Sequence, residues 1–123
     1  MAITLTNRAK NAALNGIVDE IDSAGSAGSL QILDADNNEL ATLPLTNPAF
    51  GAADSGSVSA NTITTDTTVN AGTASKFKVF TSGGSEVFRG TVTNTGGGGD
   101  LTLTNVNLFA GDRLAVSSFT ITI

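Results

Sequence analysis

The chain has 123 residues, the size of one domain, and that length can bury a core without disulfide staples. It contains no Cys and no His, which removes disulfides, thiolate metal sites, the commonest general base and the commonest transition-metal ligand. Eleven Asp and Glu against six Lys and Arg set a net charge of −5, the wrong sign for the basic footprint that a nucleic-acid partner needs.

The opening, Met1-Ala2-Ile3-Thr4-Leu5-Thr6-Asn7, lacks the basic region and apolar core of a signal peptide, and no apolar run is long enough to span a bilayer. The expectation is synthesis in a cytoplasm, with no membrane partner. Ile3 and Leu5 alternate with Thr4 and Thr6, which reads as a short strand or an extended arm. A helix follows over about Asn7 to Asp22, with Thr6 or Asn7 as N-cap. Leu5, Ala9, Ala13, Ile17 and Ile21 recur every four residues, and Ala12, Leu14 and Val18 widen that apolar stripe. Asp19, Glu20 and Asp22 crowd the last turns, where the helix dipole disfavours negative charge by about a few tenths of a kcal/mol each. They read as a solvated acidic face or as partners of a nearby cation. Residues 1–28, ending in a Gly/Ser/Ala link, thus form an N-terminal arm and helix ahead of a body over 29–123, one domain overall.

In the body, Ser29 to Leu33 and Glu39 to Leu45 read as strands around the turn Asp34 to Asn38, with Pro44 implying an edge or a bulge. Asn47 to Gly51 is a turn carrying Phe50 as an aromatic plug, and Ala52 to Gly56 is a loop. Ser57 to Val69, rich in Thr, is expected to form one long strand or two broken at Asp66. Past a central hairpin over Ser75 to Val92, Gly96 to Asp100 reads as a mobile loop. Leu101 to Leu103 and Val106 to Leu108 are short strands. Leu114 and Val116, then Phe119, Ile121 and Ile123, are expected to face the core, with a β-bulge at Ser117-Ser118 where the parity changes. Turn signals roughly every 8–12 residues favour a mainly β fold: a jelly-roll-like antiparallel β-sandwich with one N-terminal α-helix.

The central hairpin holds the clearest candidate surface. A turn at Gly83-Gly84 sets Phe80 opposite Val87, Val79 opposite Phe88 and Lys78 opposite Arg89. Phe77, Val79, Phe88 and Val92 then share a core face, and Lys76, Lys78 and Arg89 share the other with Phe80 and Val87. Like charges directly opposite one another need a counter-charge. Three readings stand: solvated charges, a partnership with Asp19, Glu20 and Asp22, or contact with an acidic patch of another subunit anchored by Phe80 and Val87.

Asp34 to Glu39 opens like a calcium loop, but such a loop needs Gly at its sixth position and Glu at its twelfth. Those places hold Glu39 and Leu45, so a polar hairpin turn is expected. The Gly96 to Gly99 run is followed by neither Lys-Ser nor Lys-Thr and is no phosphate cradle. A carboxylate pair could in principle do acid–base work, yet no spacing singles out two. The residues point to no catalytic site, no cofactor and no metal.

Asn11 to Asp22 with its Gly/Ser/Ala tail, Leu40-Ala41-Thr42-Leu43 leading into Asn47-Pro48-Ala49-Phe50-Gly51, Ala60-Asn61-Thr62-Ile63-Thr64, the Phe77 hairpin and the terminal Ser118-Phe119-Thr120-Ile121-Thr122-Ile123 together resemble small virion proteins of tailed bacteriophages and prophages. The resemblance spans nearly the whole chain and rests on structural motifs. It implies a capsid cement (decoration) protein of jelly-roll-like fold on the outside of the head, with the major capsid protein and itself, as homodimer or homotrimer, for partners. Ile3 and Leu5 would belong to an arm that adds a strand to a neighbour's sheet, or to an ordinary edge strand. The rival readings are a tail, neck or fibre component and a carbohydrate-binding receptor module, for which a chain without Trp or Tyr is poorly equipped.

Overall fold

The computed structural model describes residues 3–123. Met1 and Ala2 of the arm lie outside the described residues. Thr6 starts the helix: its extended backbone and a hydroxyl that accepts from the Ala9 N–H at 3.3 Å satisfy one of the free donors of the first turn. Helix α1 (Asn7–Ile21) is followed by β1 (Ser29–Leu33), β2 (Glu39–Pro44), β3 (Ser57–Ser59), β4 (Gly72–Thr73), β5 (Lys76–Phe80), β6 (Glu86–Asn94), β7 (Leu101–Leu103), β8 (Asn107–Leu108) and β9 (Thr120–Thr122).

The fold is mainly β with one helix, and its strands form a curled, largely antiparallel sheet stacked in sandwich-like fashion. Five strands make the main sheet in the order β2-β1-β5-β6-β7, and β3/β9 and β4/β8 form two-stranded ribbons. Among the described residues only the β6/β7 pair is parallel. Its return, expected as a mobile loop, is tied down: the Gly97 N–H donates to the Asn94 carbonyl at 2.8 Å and the Gly99 N–H to Thr93 Oγ1 at 3.0 Å. Asp100 Oδ2 accepts from the Thr91 N–H at 3.0 Å, supplying an acceptor that the short β7 does not.

One face of the sheet presents Leu30, Ile32, Leu43, Phe77, Val79 and Val92 to a core closed by α1 and the β3/β9 ribbon. Phe119 is the joint between the layers. Its ring centroid lies 5.8 Å from Phe50, 5.2 Å from Phe77 and 6.2 Å from Phe88. Such tilted and edge-on pairs align ring edges with ring faces and add to the apolar burial. Gly90 stands directly opposite Phe77 on the neighbouring strand. A methyl group there would lie 2.6 Å from the Phe77 ring, so only glycine lets that ring cross the strand toward Phe119.

The helix is rotated relative to the expected stripe. Leu14, Val18 and Ile21 are buried, whereas Ala9, Ala13 and Ile17 face solvent and Leu5 is 44% exposed. Three polar side chains set this rotation. Asn11 Oδ1 accepts from the Gly56 N–H at 3.0 Å, Asn15 Oδ1 from the Ala53 N–H at 3.0 Å, and Asp22 Oδ1 from the Ala49 N–H at 3.1 Å. Turning the alanine stripe inward would strand those donors, and a buried unpaired N–H is costly.

Two further expectations are corrected. Ser57 to Val69 forms only the three-residue β3; beyond it the chain covers the free edge of β2. The Thr64 N–H donates to the Pro44 carbonyl and the Asn70 N–H to the Leu40 carbonyl, each at 2.8 Å, and the Thr42 N–H donates to Asp66 Oδ2 at 2.8 Å. No bulged strand joins Leu114 to Phe119: Leu114 makes an isolated bridge to Asp66, and the parity change falls in irregular chain. Ile121 packs partly on the core, but Ile123 lies beyond it and is 44% exposed.

Burial pushes the Asp66 carboxyl up, but the donors from Thr68 and Thr42 outweigh it and hold the group below the usual carboxylate range. A depressed folded-state value means stability that is present above the unfolded pKa and lost as pH falls through the folded one. Asp66→Asn is expected to cost about 1–2 kcal/mol at neutral pH in urea unfolding, with the difference from the parent shrinking below about pH 4. Phe119→Ala is expected to cost about 3–5 kcal/mol in the same assay, and Phe119→Leu clearly less.

Candidate functional site

The β5/β6 hairpin is closed by Thr81, whose N–H donates to the Ser85 carbonyl at 2.9 Å and whose buried hydroxyl accepts from the Ser85 N–H at 3.2 Å. Val79 faces Phe88 and Lys78 faces Arg89, as the spacing predicts. The expected Phe80–Val87 pair is not formed. A register shift after Val79 sets Phe80 opposite Glu86, and Val87 packs partly against the core. The tight Thr81–Ser85 closure leaves one residue extra on β6, which the bulge absorbs.

That shift supplies the counter-charge the hairpin needs. Glu86 joins the cationic face and takes Arg89 in a two-pronged contact, Nε to Oε2 at 2.6 Å and Nη2 to Oε1 at 3.0 Å. Lys78 Nζ lies 3.7 Å from the same carboxylate. Of the three readings, the partnership with the helix acids is not formed within the chain: Asp22 is engaged with Ala49, and Asp19 and Glu20 form no ion pair among the described residues. Glu86 was the residue that sequence spacing missed, because a strict two-residue alternation puts it on the opposite face.

Lys76 pairs across the strands with Thr91, and Phe80 is half-buried beside the charges. A shallow depression lined by Lys76, Lys78, Arg89, Gly90 and Thr91 runs along this face. The surface is amphipathic and net positive: Lys78 and Arg89 share the Glu86 carboxylate, Lys76 adds a third cation, and apolar stems and an aromatic ring lie alongside. Surfaces of this make-up bind partner proteins through apolar contact framed by charge.

Ile3 and Leu5 lie apart from the hairpin cations in sequence, in residues 3–6, which form no strand. Both are exposed, Ile3 at 69% and Leu5 at 44%. The edge-strand reading of that segment is not met, since residues 3–6 join no sheet. The Asp34 turn is locally closed: Asp34 Oδ1 accepts from the Asp36 and Asn38 N–H groups, each at 2.9 Å, and Oδ2 from Asn38 Nδ2 at 3.0 Å. The Asn38 side chain is the chief cause of an Asp34 carboxyl held below its usual range. Among the described residues no group of three or more Asp and Glu converges to hold a metal, and no helix is long and apolar enough to cross a membrane.

No protein-family model, no curated protein and no solved structure matches the chain.

Removing the shared carboxylate leaves Lys78 and Arg89 directly opposed. Glu86→Ala is expected to lower stability by about 0.5–1 kcal/mol in urea unfolding, with most of the loss regained in high salt. A salt-independent loss would assign the effect to packing.

Proposed function

We propose that this chain is a capsid cement (decoration) protein of a tailed bacteriophage, which binds the outside of the head and reinforces contacts between capsid subunits. The observation that carries this reading is the arm: Ile3 and Leu5 stand in solvent immediately ahead of a helix clamped to the body. Exposed apolar side chains on a short extended segment suit insertion at the sheet edge or groove of a neighbouring subunit. The Lys76/Lys78/Arg89 face, with Phe80 beside it, supplies a second contact for an acidic patch.

Within this proposal the body is a jelly-roll-like sandwich, the major capsid protein is the partner, and the chain also associates with itself as dimer or trimer. A single core shared by sheet, helix and ribbon gives the stiffness that bridging shell subunits requires. The reading needs no catalytic step and no cofactor.

Co-sedimentation with purified phage heads tests it. The chain is expected to pellet with heads at a fixed ratio to capsid subunits. The Ile3→Asp/Leu5→Asp double variant is expected to bind at least about tenfold more weakly, since two apolar anchors are replaced by charge, while its far-UV circular dichroism stays that of the parent. Copy number in the intact virion separates the rivals: hundreds mark head cement, a handful a tail or neck component. A chain that ignores heads and is absent from virions sinks the proposal.

A further inference from the structure

The outer face of α1 is left uncovered among the described residues. Ala9, Ala12, Ala13 and Gly16 are all exposed there, and nothing lies within 4 Å of a methyl placed on Gly16. Ile17, 37% exposed, rims this strip, and Leu5 lies one turn before it. Small residues on one side of a helix let a second helix approach closely, and large apolar ones at the rim give that approach something to cover.

The charges on this helix say which partner. Arg8 and Lys10 occupy its first turn and Asp19 and Glu20 its last; there is no acid at the start and no base at the end. Every one of these placements opposes the helix dipole. None of the four residues makes an ion pair among the described residues. At 100° per residue Arg8 and Asp19 fall on the same flank of the alanine strip, about 16 Å apart along the axis.

We propose that two copies of this chain pair through α1, antiparallel, about a two-fold axis passing beside Ala13. A two-fold axis carries a residue on one flank to the same flank of the partner helix, at the opposite end. Arg8 of each copy then meets Asp19 of the other, and Glu20 meets the N-terminal, positive end of the partner helix. Ala9 of one copy lies against Gly16 of the other, with Ile17 at the rim, and Leu5 reaches over the partner's last turn. The antiparallel dipoles compensate, so the arrangement that penalises the lone helix favours the pair. A second copy lying antiparallel carries the complementary charge order by symmetry. This assigns the surface and the symmetry of self-association; it holds equally for a head or a tail component and does not depend on capsid binding.

Sedimentation of the full chain over a concentration series tests it. The expected result is a reversible dimer of twice the 12.3 kDa chain mass, weakened by salt. Ala13→Glu places like charges beside the axis and is expected to yield a monomer with unchanged circular dichroism. Arg8→Glu or Asp19→Arg alone is expected to weaken dimerisation about tenfold, since two symmetry-related pairs turn repulsive, and the double exchange to recover most of it. The chain has no cysteine, so Ala13→Cys gives a second readout that stands even if a charged variant fails to fold. It should form an intermolecular disulfide on mild oxidation, whereas Ser82→Cys in the exposed hairpin turn should not. A parent that stays monomeric to millimolar concentration, a trimer, a dimer indifferent to Ala13→Glu, or equal cross-linking by both cysteines overturns the proposal.

Discussion

The rotation of α1 about its own axis rests on three hydrogen bonds that Asn11, Asn15 and Asp22 accept from backbone N–H groups between Ala49 and Gly56. These residues form a polar stripe beside the buried Leu14–Val18–Ile21 stripe, so the helix docks through two adjacent strips at once. The apolar strip supplies most of the driving force and tolerates small rotations. The polar strip does not, because each side-chain oxygen has one donor to reach. Everything outward-facing follows from that constraint: the exposed alanine strip, the unpaired end charges and the direction in which the arm leaves the body.

The second constraint is aromatic. Phe119, immediately ahead of the last strand, meets Phe50, Phe77 and Phe88, which come from a turn and from both strands of the central hairpin. Four of the six phenylalanines thus meet in one place, and Gly90 keeps the path between them open. The cluster couples the C-terminal segment to the sheet across the full sequence, which makes the layers cooperative: loosening the final strand loosens the hairpin face where Lys78, Glu86 and Arg89 sit.

Much of the hairpin was legible in the sequence because alternation and a Gly-Gly pair are local signals. Val79 with Phe88 and Lys78 with Arg89 needed nothing else. The Phe80 partner was not legible, since the bulge depends on how Thr81 closes the turn. For the helix, the start at Thr6 was readable, but two overlapping stripes competed for the inward side. Ala9, Ala13 and Ile17 match the helical period as well as Leu14, Val18 and Ile21 do. What decides between them is the set of loop donors waiting for Asn11 and Asn15, and those come from a segment distant in sequence. Thr-rich Ser57 to Val69 misled for a related reason: strand propensity is satisfied in part by packing along an edge without joining the ladder. The acidic last turns of α1 were legible as an arrangement against the helix dipole, whereas the basic first turn, Arg8 and Lys10, was not singled out.

The covering of β2 bears on how copies of this chain can aggregate. An open sheet margin is a template on which another polypeptide can grow a fibril, one backbone rung at a time. Here Thr64, Asp66 and Asn70 occupy the rungs that Pro44, Thr42 and Leu40 would offer, and the opposite margin, β7, is only three residues long. The main sheet is thereby denied the runaway, open-ended route at both of its margins.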